Sequence, residues 1–530
     1  MTRYVHRWVV LGALVPVVAL ADGEMAAYEA AVAELQKGTP AAVDSAAVAL
    51  FELSEHSALP DVRRQAEYQL GRALELKGYS VAASIYYSGV IKEGPSHPYQ
   101  LQAVEGLVRV QDKLRDPFLI PSALDHSFDT SWSKLAREPR ARVNYLVALT
   151  SQRANKLEEA RQFAEEVPED SPVFAKSQYL LGVLLADPRY PGGPQDDPAL
   201  ASFQRVIDLK DKKQQDLAQV RELALLGKGR LLYAQKKYEE AVKTYEAVPR
   251  FSRYWDQALF ELGFARFRAE DYGGALGALQ ALHAPQFEAA FQPESWLLKA
   301  TIYYFSCLYD EAAASMKAFH TLYQPMRAQM EPLLTQEHEL QDYFTLINDP
   351  KDQRLPRPVK LWVRNNERII GLFKLLEEID REKAAARSEK GWAQSRIADA
   401  LDAYLDQNRE VVVQTAGQLV KNRLTEATEN IKKYTNDGSL IRFETTLRQK
   451  DLYEQGVDQG KVLNAQQIHR PGMPGEDWNY WAFQGEFWID EIGYYQYTLK
   501  QGCPAPKAEA EAPEPPRPPE APAQSSKGAP

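Results

Sequence analysis

The sequence predicts an all-α solenoid built from helical hairpins, and three observations carry that prediction. A pattern of small and aromatic residues recurs with helical spacing and returns after 34 residues. Long proline-free stretches with apolar stripes follow the repeats. The motifs of the common enzyme classes do not occur in the chain. This combination is typical of stacked hairpins that share one continuous core.

Composition sets the first limits on function. The chain has 530 residues and a formal net charge of -10, which disfavours a nucleic-acid-binding protein because such proteins need a basic face. It has two cysteines, Cys307 and Cys503, and neither belongs to a CxxC motif. The eight histidines are scattered without ligand spacing. We therefore predict no metal site and no cofactor.

The first 21 residues have the pattern of a secretory signal peptide. Arg3 and Arg7 precede an apolar run that is too short to span a bilayer, and Ala19-Leu20-Ala21 forms a small-x-small cleavage site. No later stretch is long and apolar enough to span a membrane. We expect a soluble, exported mature protein that begins after residue 21.

Three consecutive copies define the repeat most clearly. Each copy has a small residue on its first helix and an alanine twelve residues later on its second helix. The three pairs are Gly229 and Ala241, Gly263 and Ala275, and Ala300 and Ala312. A tyrosine precedes each second-helix alanine by three residues, at positions Tyr238, Tyr272 and Tyr309. A small residue on the first helix allows the second helix to cross closely.

This pattern closely resembles the tetratricopeptide repeat (TPR), with its W-x2-L-G-x2-Y and A-x3-F spacing. Weaker copies, such as Ala148 with Ala160, extend the array upstream. We predict a TPR-like α-solenoid over residues 22–325 with about seven or eight repeats, enough for a stable stacked core.

The resemblance implies a partner-binding groove that is lined by first-helix positions. Those positions are Arg230, Tyr233, Phe260, Phe264, Phe267, Arg268, Thr301, Tyr304 and Phe305. The functional interpretation is a peptide or protein segment that docks on this surface. The alternative is that these aromatic residues pack against neighbouring repeats or the C-terminal region.

Catalytic residues are not predicted anywhere in the chain. His338-Glu339 begins a zinc-protease-like pattern, but Asp342 stands where the second histidine would fall. Glu377-Glu378 is interpreted as a solvated helix face rather than an acid/base pair. We therefore expect a protein that is not an enzyme.

The second half of the chain predicts long helices. Prolines mark residues 326–358 as a linker with irregular helix, and residues 359–465 form a long-helix region. Ile369, Leu372, Leu376 and Ile379 step 3-4-3, which indicates either a coiled-coil seam or a packed helical hairpin. Asn436-Asp437-Gly438 predicts a helix stop, with another helix from about Ser439.

Residues 466–503 form an aromatic module that is too small to fold alone. Its aromatic residues include Trp478, Trp481, Phe483, Trp488, Tyr494 and Tyr495. They favour a clasp that folds back on the helices, and carbohydrate stacking is the alternative. Residues 504–530, rich in proline, alanine and glutamate, are predicted to be disordered.

The stretch from Trp481 to Tyr495 follows the pattern W-x-F-x-G-E-x-W-x-D-E-x-G-Y-Y. It resembles exported repeat proteins of myxobacteria, including TPR scaffold proteins of the adventurous gliding motility machinery. That resemblance implies a non-enzymatic component of an envelope assembly.

The two cysteines predict a disulfide between Cys307 and Cys503 that ties the module to the solenoid. An intermolecular bond and two free thiols are the alternatives.

The predicted function is a periplasmic scaffold, peripheral to the outer membrane, that binds other envelope proteins or their peptide segments. The alternative is a peptidoglycan- or polysaccharide-binding envelope factor that uses the aromatic patch.

Overall fold

The computed structural model describes residues 15–393, 395–454, 467–468 and 486–499. The helices are α1 (Val15–Lys37), α2 (Pro40–His56), α3 (Pro60–Lys77), α4 (Ser80–Lys92), α5 (Gln100–Leu114), α6 (Leu119–His126), α7 (Arg137–Arg153), α8 (Leu157–Glu165), α9 (Phe174–Leu185), α10 (Asp196–Asp208), α11 (Leu217–Ala234), α12 (Tyr238–Glu246), α13 (Trp255–Arg268), α14 (Tyr272–Leu282), α15 (Glu294–Phe305), α16 (Tyr309–Thr335), α17 (Leu340–Asn348), α18 (Arg357–Arg364), α19 (Glu367–Ser388) and α20 (Ile397–Glu454). Short 3₁₀ turns lie at Gly94–Ser96, Thr130–Lys134, Pro285–Phe287 and Lys390–Trp392. Two strands, β1 (Gln467–Ile468) and β2 (Tyr497–Thr498), pair antiparallel.

Helices α1 to α16 form eight consecutive hairpins, which confirms the predicted all-α solenoid. The three repeat tyrosines open α12, α14 and α16. In five hairpins the turn uses a left-handed residue two positions before the second helix: Gly78 in one of them, and a residue other than glycine in four. These residues are Asn155, Lys236, Glu270 and Cys307, with φ from 57° to 63°. The same turn geometry therefore returns with the repeat, even where the residue type changes.

Small first-helix residues make room for the aromatic rings of second helices. A Cβ on Gly229 would lie 2.5 Å from the Tyr245 ring. The Phe203 ring is held between two glycines, since a Cβ on Gly182 or Gly227 would lie 2.5 or 2.6 Å from it. Glycine is thus needed here for close helix approach, as the repeat pattern predicts.

The C-terminal helices pack within the chain. Leu372, Leu376 and Ile379 of the predicted seam are buried against α20 residues such as Leu405 and Val412. Helices α19 and α20 therefore form a packed hairpin, and the seam is filled by this chain's own residues.

The predicted helix stop at Asn436-Asp437-Gly438 is wrong. Helix α20 runs without interruption from Ile397 to Glu454. Gly438 is buried, and a Cβ there would overlap the Met316 side chain on α16. The glycine allows α16 and α20 to cross closely. Packing before and after this position keeps the segment helical, although the same sequence would end a helix that was not packed against others.

The α19–α20 hairpin spans the solenoid from its second hairpin to its last. At one end, Glu382 accepts hydrogen bonds from the amides that open α4. At the other end, the Tyr434 hydroxyl donates to Glu294 at 2.9 Å, and Gln449 donates to Asp310 at 2.6 Å. In between, α19 crosses the face formed by the first helices of the hairpins, which we call the inner face.

Residues 486–499, the clasp segment, pack on the seventh hairpin, which is formed by α13 and α14. Ile492 and Tyr495 are buried in a cluster with Trp255 and Leu262 of α13. Tyr497 is buried against α14 and α15, and its hydroxyl lies 3.2 Å from Oε1 of Gln280. Within the described ranges, no helix has the combined length and apolar character that a membrane crossing requires.

Candidate binding surfaces

The structure brings most of the predicted groove residues together on α11, α13 and α15. Ring centroids of Phe260 and Phe264 are 5.2 Å apart, and those of Phe267 and Phe305 are 5.9 Å apart. Tyr304 contacts the Phe305 ring in turn. We call these five residues together with Tyr233 the aromatic strip. Most of its rings are partly buried against the core, while Phe305 is 56% exposed.

The polar groove residues are engaged within the solenoid. Arg230 pairs with Glu261 at 2.6 Å, and Arg268 contacts the hydroxyl of Tyr238 at 3.2 Å. Thr301 donates to a carbonyl of its own helix. Both arginines remain solvent-accessible, so the strip is flanked by positive charge.

The aromatic module is partly described. Trp478, Trp481, Phe483 and Cys503 lie outside the described residues. Trp488 and Tyr494 are exposed, whereas Tyr495 is buried.

Arg250 holds the clasp segment through its backbone. Its Nη2 donates to the carbonyls of Ile489, Asp490 and Ile492, at 3.2, 3.2 and 2.6 Å. Its guanidinium also lies 4.3 Å from the centroid of the Tyr494 ring. The three carbonyls converge on one nitrogen, whose two hydrogens they share, and this convergence fixes the path of the segment.

Two glycines of α14 allow the clasp backbone to approach the helix. A Cβ on Gly273 would overlap the carbonyl oxygen of Tyr497, and one on Gly277 would overlap that of Tyr495. The glycines are four residues apart and therefore share one helix face. This face is the docking surface for residues 495–497.

Cys307 lies in the turn between α15 and α16 and is disulfide-bonded. Its predicted partner, Cys503, lies outside the described residues, so the identity of the pair stays a prediction.

A cavity of about 650 Å³ lies on the inner face, and we call it the inner cavity. Helices α5, α7, α9 and α11 contribute its solenoid walls, and α19 closes it from the other side. Its apolar lining includes Tyr145, Leu146, Leu149 and Ile370. The size is within the range of small-molecule sites.

The carboxylates of the inner cavity are already engaged. Asp216 pairs with Arg115 at 3.1 Å and with Lys176 at 2.8 Å. Glu367 lies 3.7 Å from Arg253 and also accepts hydrogen bonds from neighbouring polar side chains.

The remaining three carboxylates are likewise satisfied. Asp112 pairs with Arg142, and Glu378 pairs with Arg381 at 2.6 Å. Asp116 is buried and accepts from three backbone amides at the start of α6.

Four cations of the cavity wall have no ion pair among the described residues: Lys113, Arg153, Arg368 and Lys374. Arg153 donates to the carbonyl of Pro117 at 2.9 Å. The Nε of Arg368 is buried and has no hydrogen-bond acceptor. Burial and the neighbouring charge of Arg368 lower the pKa of Arg153, and burial lowers the pKa of Arg368. Arg368 therefore acts on Arg153 as a like charge, and the nearby carboxylate of Asp116 opposes this effect.

Sequence reasoning did not predict the inner cavity, although one signal for it was present. Relative to the small first-helix residue Ala148, Tyr145 lies three positions before, Leu149 one position after and Arg153 five positions after. The predicted groove used the same offsets around Gly263. The contribution of α19 had no local signal, because it depends on how distant helices pack.

Among the described residues, no three His, Cys, Asp or Glu side chains come together as a metal site needs. His283 has its pKa lowered to about 3 by burial and by the charge of Lys299. It stacks on Trp296 at 4.1 Å and contacts the Ser295 hydroxyl, which are structural roles.

Glu67 makes stability depend on pH. Burial, then the charges of Glu93 and Glu55, raise its pKa from 4.5 to about 7. The folded state thus holds this proton more tightly, and the free energy of unfolding falls as pH rises from about 4.5 to about 7. We expect Glu67→Gln to raise the free energy of unfolding at pH 8 by about 1–2 kcal/mol, measured by denaturant unfolding. At pH 4.5 we expect no gain. The same change at exposed Glu29 should leave the free energy of unfolding unaltered at both pH values. An equal gain of the Glu67 variant at pH 4.5 and pH 8 would contradict the interpretation.

No protein-family model matches the chain, and no curated protein sequence matches it. Similar solved structures include a tetratricopeptide repeat protein from Parabacteroides merdae ATCC 43184, at 14% identity and TM-score 0.30, covering 49% of this chain and 93% of that one. The apo form of RapI is 11% identical with TM-score 0.36, covering 70% and 98%. A Rap protein complexed with competence and sporulation factor is 12% identical with TM-score 0.30, covering 68% and 100%. With scores and identities this low, nothing further about this chain follows from these similarities.

Proposed function

We propose that the protein is a non-enzymatic scaffold that binds a protein or peptide segment on the aromatic strip. The observation that carries the proposal is the set of aromatic rings, partly in contact with one another, on three successive first helices. It presents the exposed Phe305 edge and is flanked by Arg230 and Arg268. Aromatic and arginine side chains are the groups that most often dominate binding energy at protein interfaces.

The strip can be tested by removing its central ring and flanking charge. We expect the double variant Phe264→Ala and Arg268→Ala to lose at least ~10-fold in partner capture, because each group is the type that costs more than 1 kcal/mol at an interface. In-cell crosslinking of wild-type protein, followed by identification of captured proteins, supplies the partner for this measurement. The control is Leu76→Ala, since Leu76 is exposed on α3 of the second hairpin, whereas the strip lies on α11, α13 and α15. Unchanged capture by the double variant would reject the strip as the binding surface.

We further propose that the scaffold acts in the cell envelope after export. The support is the signal-peptide pattern of residues 1–21, and a disulfide-bonded Cys307 suits an oxidising compartment. The aromatic signature from Trp481 to Tyr495 supports an assembly such as the gliding motility machinery. N-terminal sequencing of the protein from the periplasmic fraction tests export; a mature chain that starts at Met1 in the cytoplasm contradicts it.

A wall-binding factor is the second candidate, and the exposed Trp488 favours it. Exposed tryptophan rings can stack on sugar faces, since one face remains free. Co-sedimentation with insoluble cell wall, compared between wild type and Trp488→Ala, tests this function. Equal sedimentation of both proteins would reject a role for this ring.

A further inference from the structure

The inner cavity carries an excess of positive charge that the described residues do not neutralise. Its five carboxylates are bound by Arg115, Arg142, Lys176, Arg253 and Arg381 or by backbone amides. Four cations of the cavity wall remain without an ion pair among the described residues: Lys113, Arg153, Arg368 and Lys374. Lys113, Arg153 and Lys374 are solvent-exposed and Arg368 is partly buried, so an anion can reach them from solvent and would reduce the repulsion among them.

Arg368 adds a second, independent observation. Its Nε is buried without an acceptor, and buried N–H groups in folded proteins almost always have one. Its charge also acts on Arg153 at the end of α7, where the carboxylate of Asp116 acts in the opposite sense. An anion near these two guanidiniums could accept hydrogen bonds from both and would reduce their repulsion.

We infer that the inner cavity binds a compact organic anion whose carboxylate or phosphate group lies between Arg153 and Arg368. Lys113 and Lys374 provide further positive charge around it. Tyr145, Leu146, Leu149 and Ile370 form an apolar wall for the carbon part of the ligand. This inference goes beyond the proposed scaffold function, because none of these residues belongs to the aromatic strip.

The adjoining cavity argues for a compact ligand rather than an extended acidic peptide. That cavity, of about 540 Å³, shares Arg253, Glu367 and Arg368 with the inner cavity. It adds one further cation, Arg423, whose guanidinium lies 3.7 Å from the Trp362 ring centroid. It also adds three carboxylates, Asp256, Glu294 and Glu426. A chain of negative charges that ran from one cavity into the other would meet these carboxylates.

The site also joins two separate parts of the fold. Arg153 belongs to the solenoid, whereas Arg368 and Lys374 belong to α19. An anion bound between them would hold α19 against the inner face. Ligand binding should therefore raise the melting temperature of the protein, because it stabilises only the closed arrangement.

Isothermal titration calorimetry with pyrophosphate and with citrate on the full chain tests the inference. We expect at least one probe to bind in low salt, with affinity that falls as sodium chloride is added. Arg153→Gln and Arg368→Gln should each weaken binding ~10-fold or more, because each removes one of two charge-assisted donors. Binding of citrate alone or pyrophosphate alone identifies the group as carboxylate or phosphate.

The matched control is Arg387→Gln, which changes an exposed arginine on the same helix that pairs with Asp402 outside the cavity. It should bind the probes as wild type does. Circular dichroism melting of each variant without ligand separates lost binding from lost folding. The inference is overturned if neither probe binds, or if the Arg153 and Arg368 variants bind as the control does. It is also overturned if only a decaglutamate peptide binds, since an extended ligand would then occupy the site.

Discussion

Replacing Gly277 with alanine is expected to release the clasp segment from the solenoid. A Cβ at this position would overlap the carbonyl oxygen of Tyr495, which is backbone and cannot rotate away. Ile492 and Tyr495 would then leave the cluster that contains Trp255. We expect hydrogen exchange of the amides in residues 492–497 to accelerate by tenfold or more, because local opening of the segment then costs a few kcal/mol less.

The control for this prediction is Gly23→Ala on α1, where a Cβ meets nothing within 4 Å. That change should leave the exchange of residues 492–497 unaltered. Reduction of the disulfide at Cys307 should increase the effect of Gly277→Ala if the bond tethers the C-terminal module. Unchanged exchange in the Gly277 variant would mean that the clasp segment does not dock on α14.

Removing the Glu382 side chain is expected to destabilise the protein by about 1–3 kcal/mol, because two buried amides lose their acceptor. Its carboxylate accepts from the amides of Val81 at 2.7 Å and Ala82 at 2.9 Å and is fully buried. Burial raises the pKa of Glu382 to about 7, although the two amides oppose that rise. Urea unfolding of Glu382→Ala measures the loss, and faster exchange of the Val81 and Ala82 amides locates it.

The pH dependence of this contact follows from the raised pKa. The folded state binds the Glu382 proton more tightly than the unfolded state, so stability falls as pH rises from about 4.5 to about 7. Glu382→Gln should lose this dependence. Glu378→Ala on the same helix removes an exposed pair with Arg381 and should cost less than about 0.5 kcal/mol. If the two alanine variants are equally stable, Glu382 does not fasten α19 to α4.

The helical hairpins were predictable because their cause is local. Gly229 and Ala241 are twelve residues apart because the end of the first helix, a short turn and the start of the second helix together occupy that length. Tyr238 and Tyr272 open their helices at the expected register. The aromatic strip followed from the same register, because first-helix positions repeat with the hairpin.

The features that were missed depend on residues far apart in the chain. Nothing near Arg368 indicates that Arg153, more than two hundred positions earlier, lines the same cavity. Gly438 has the sequence context of a helix stop, yet it lies in mid-helix because Met316 packs against it. Gly277 looks like an ordinary weak helix position until the Tyr495 backbone is placed on it.

The repeat spacing alone therefore establishes a solenoid of paired helices, since it encodes contacts between neighbours in the chain. Whether the C-terminal helices extend into solution or lie on the inner face is set by long-range packing, through Glu382 at one end and Tyr434 at the other. That packing also encloses the inner cavity, where four of the eight cations of the wall have no ion pair among the described residues. Hydrophobic periodicity identifies the face that a helix buries, but only the tertiary structure selects which helix covers it.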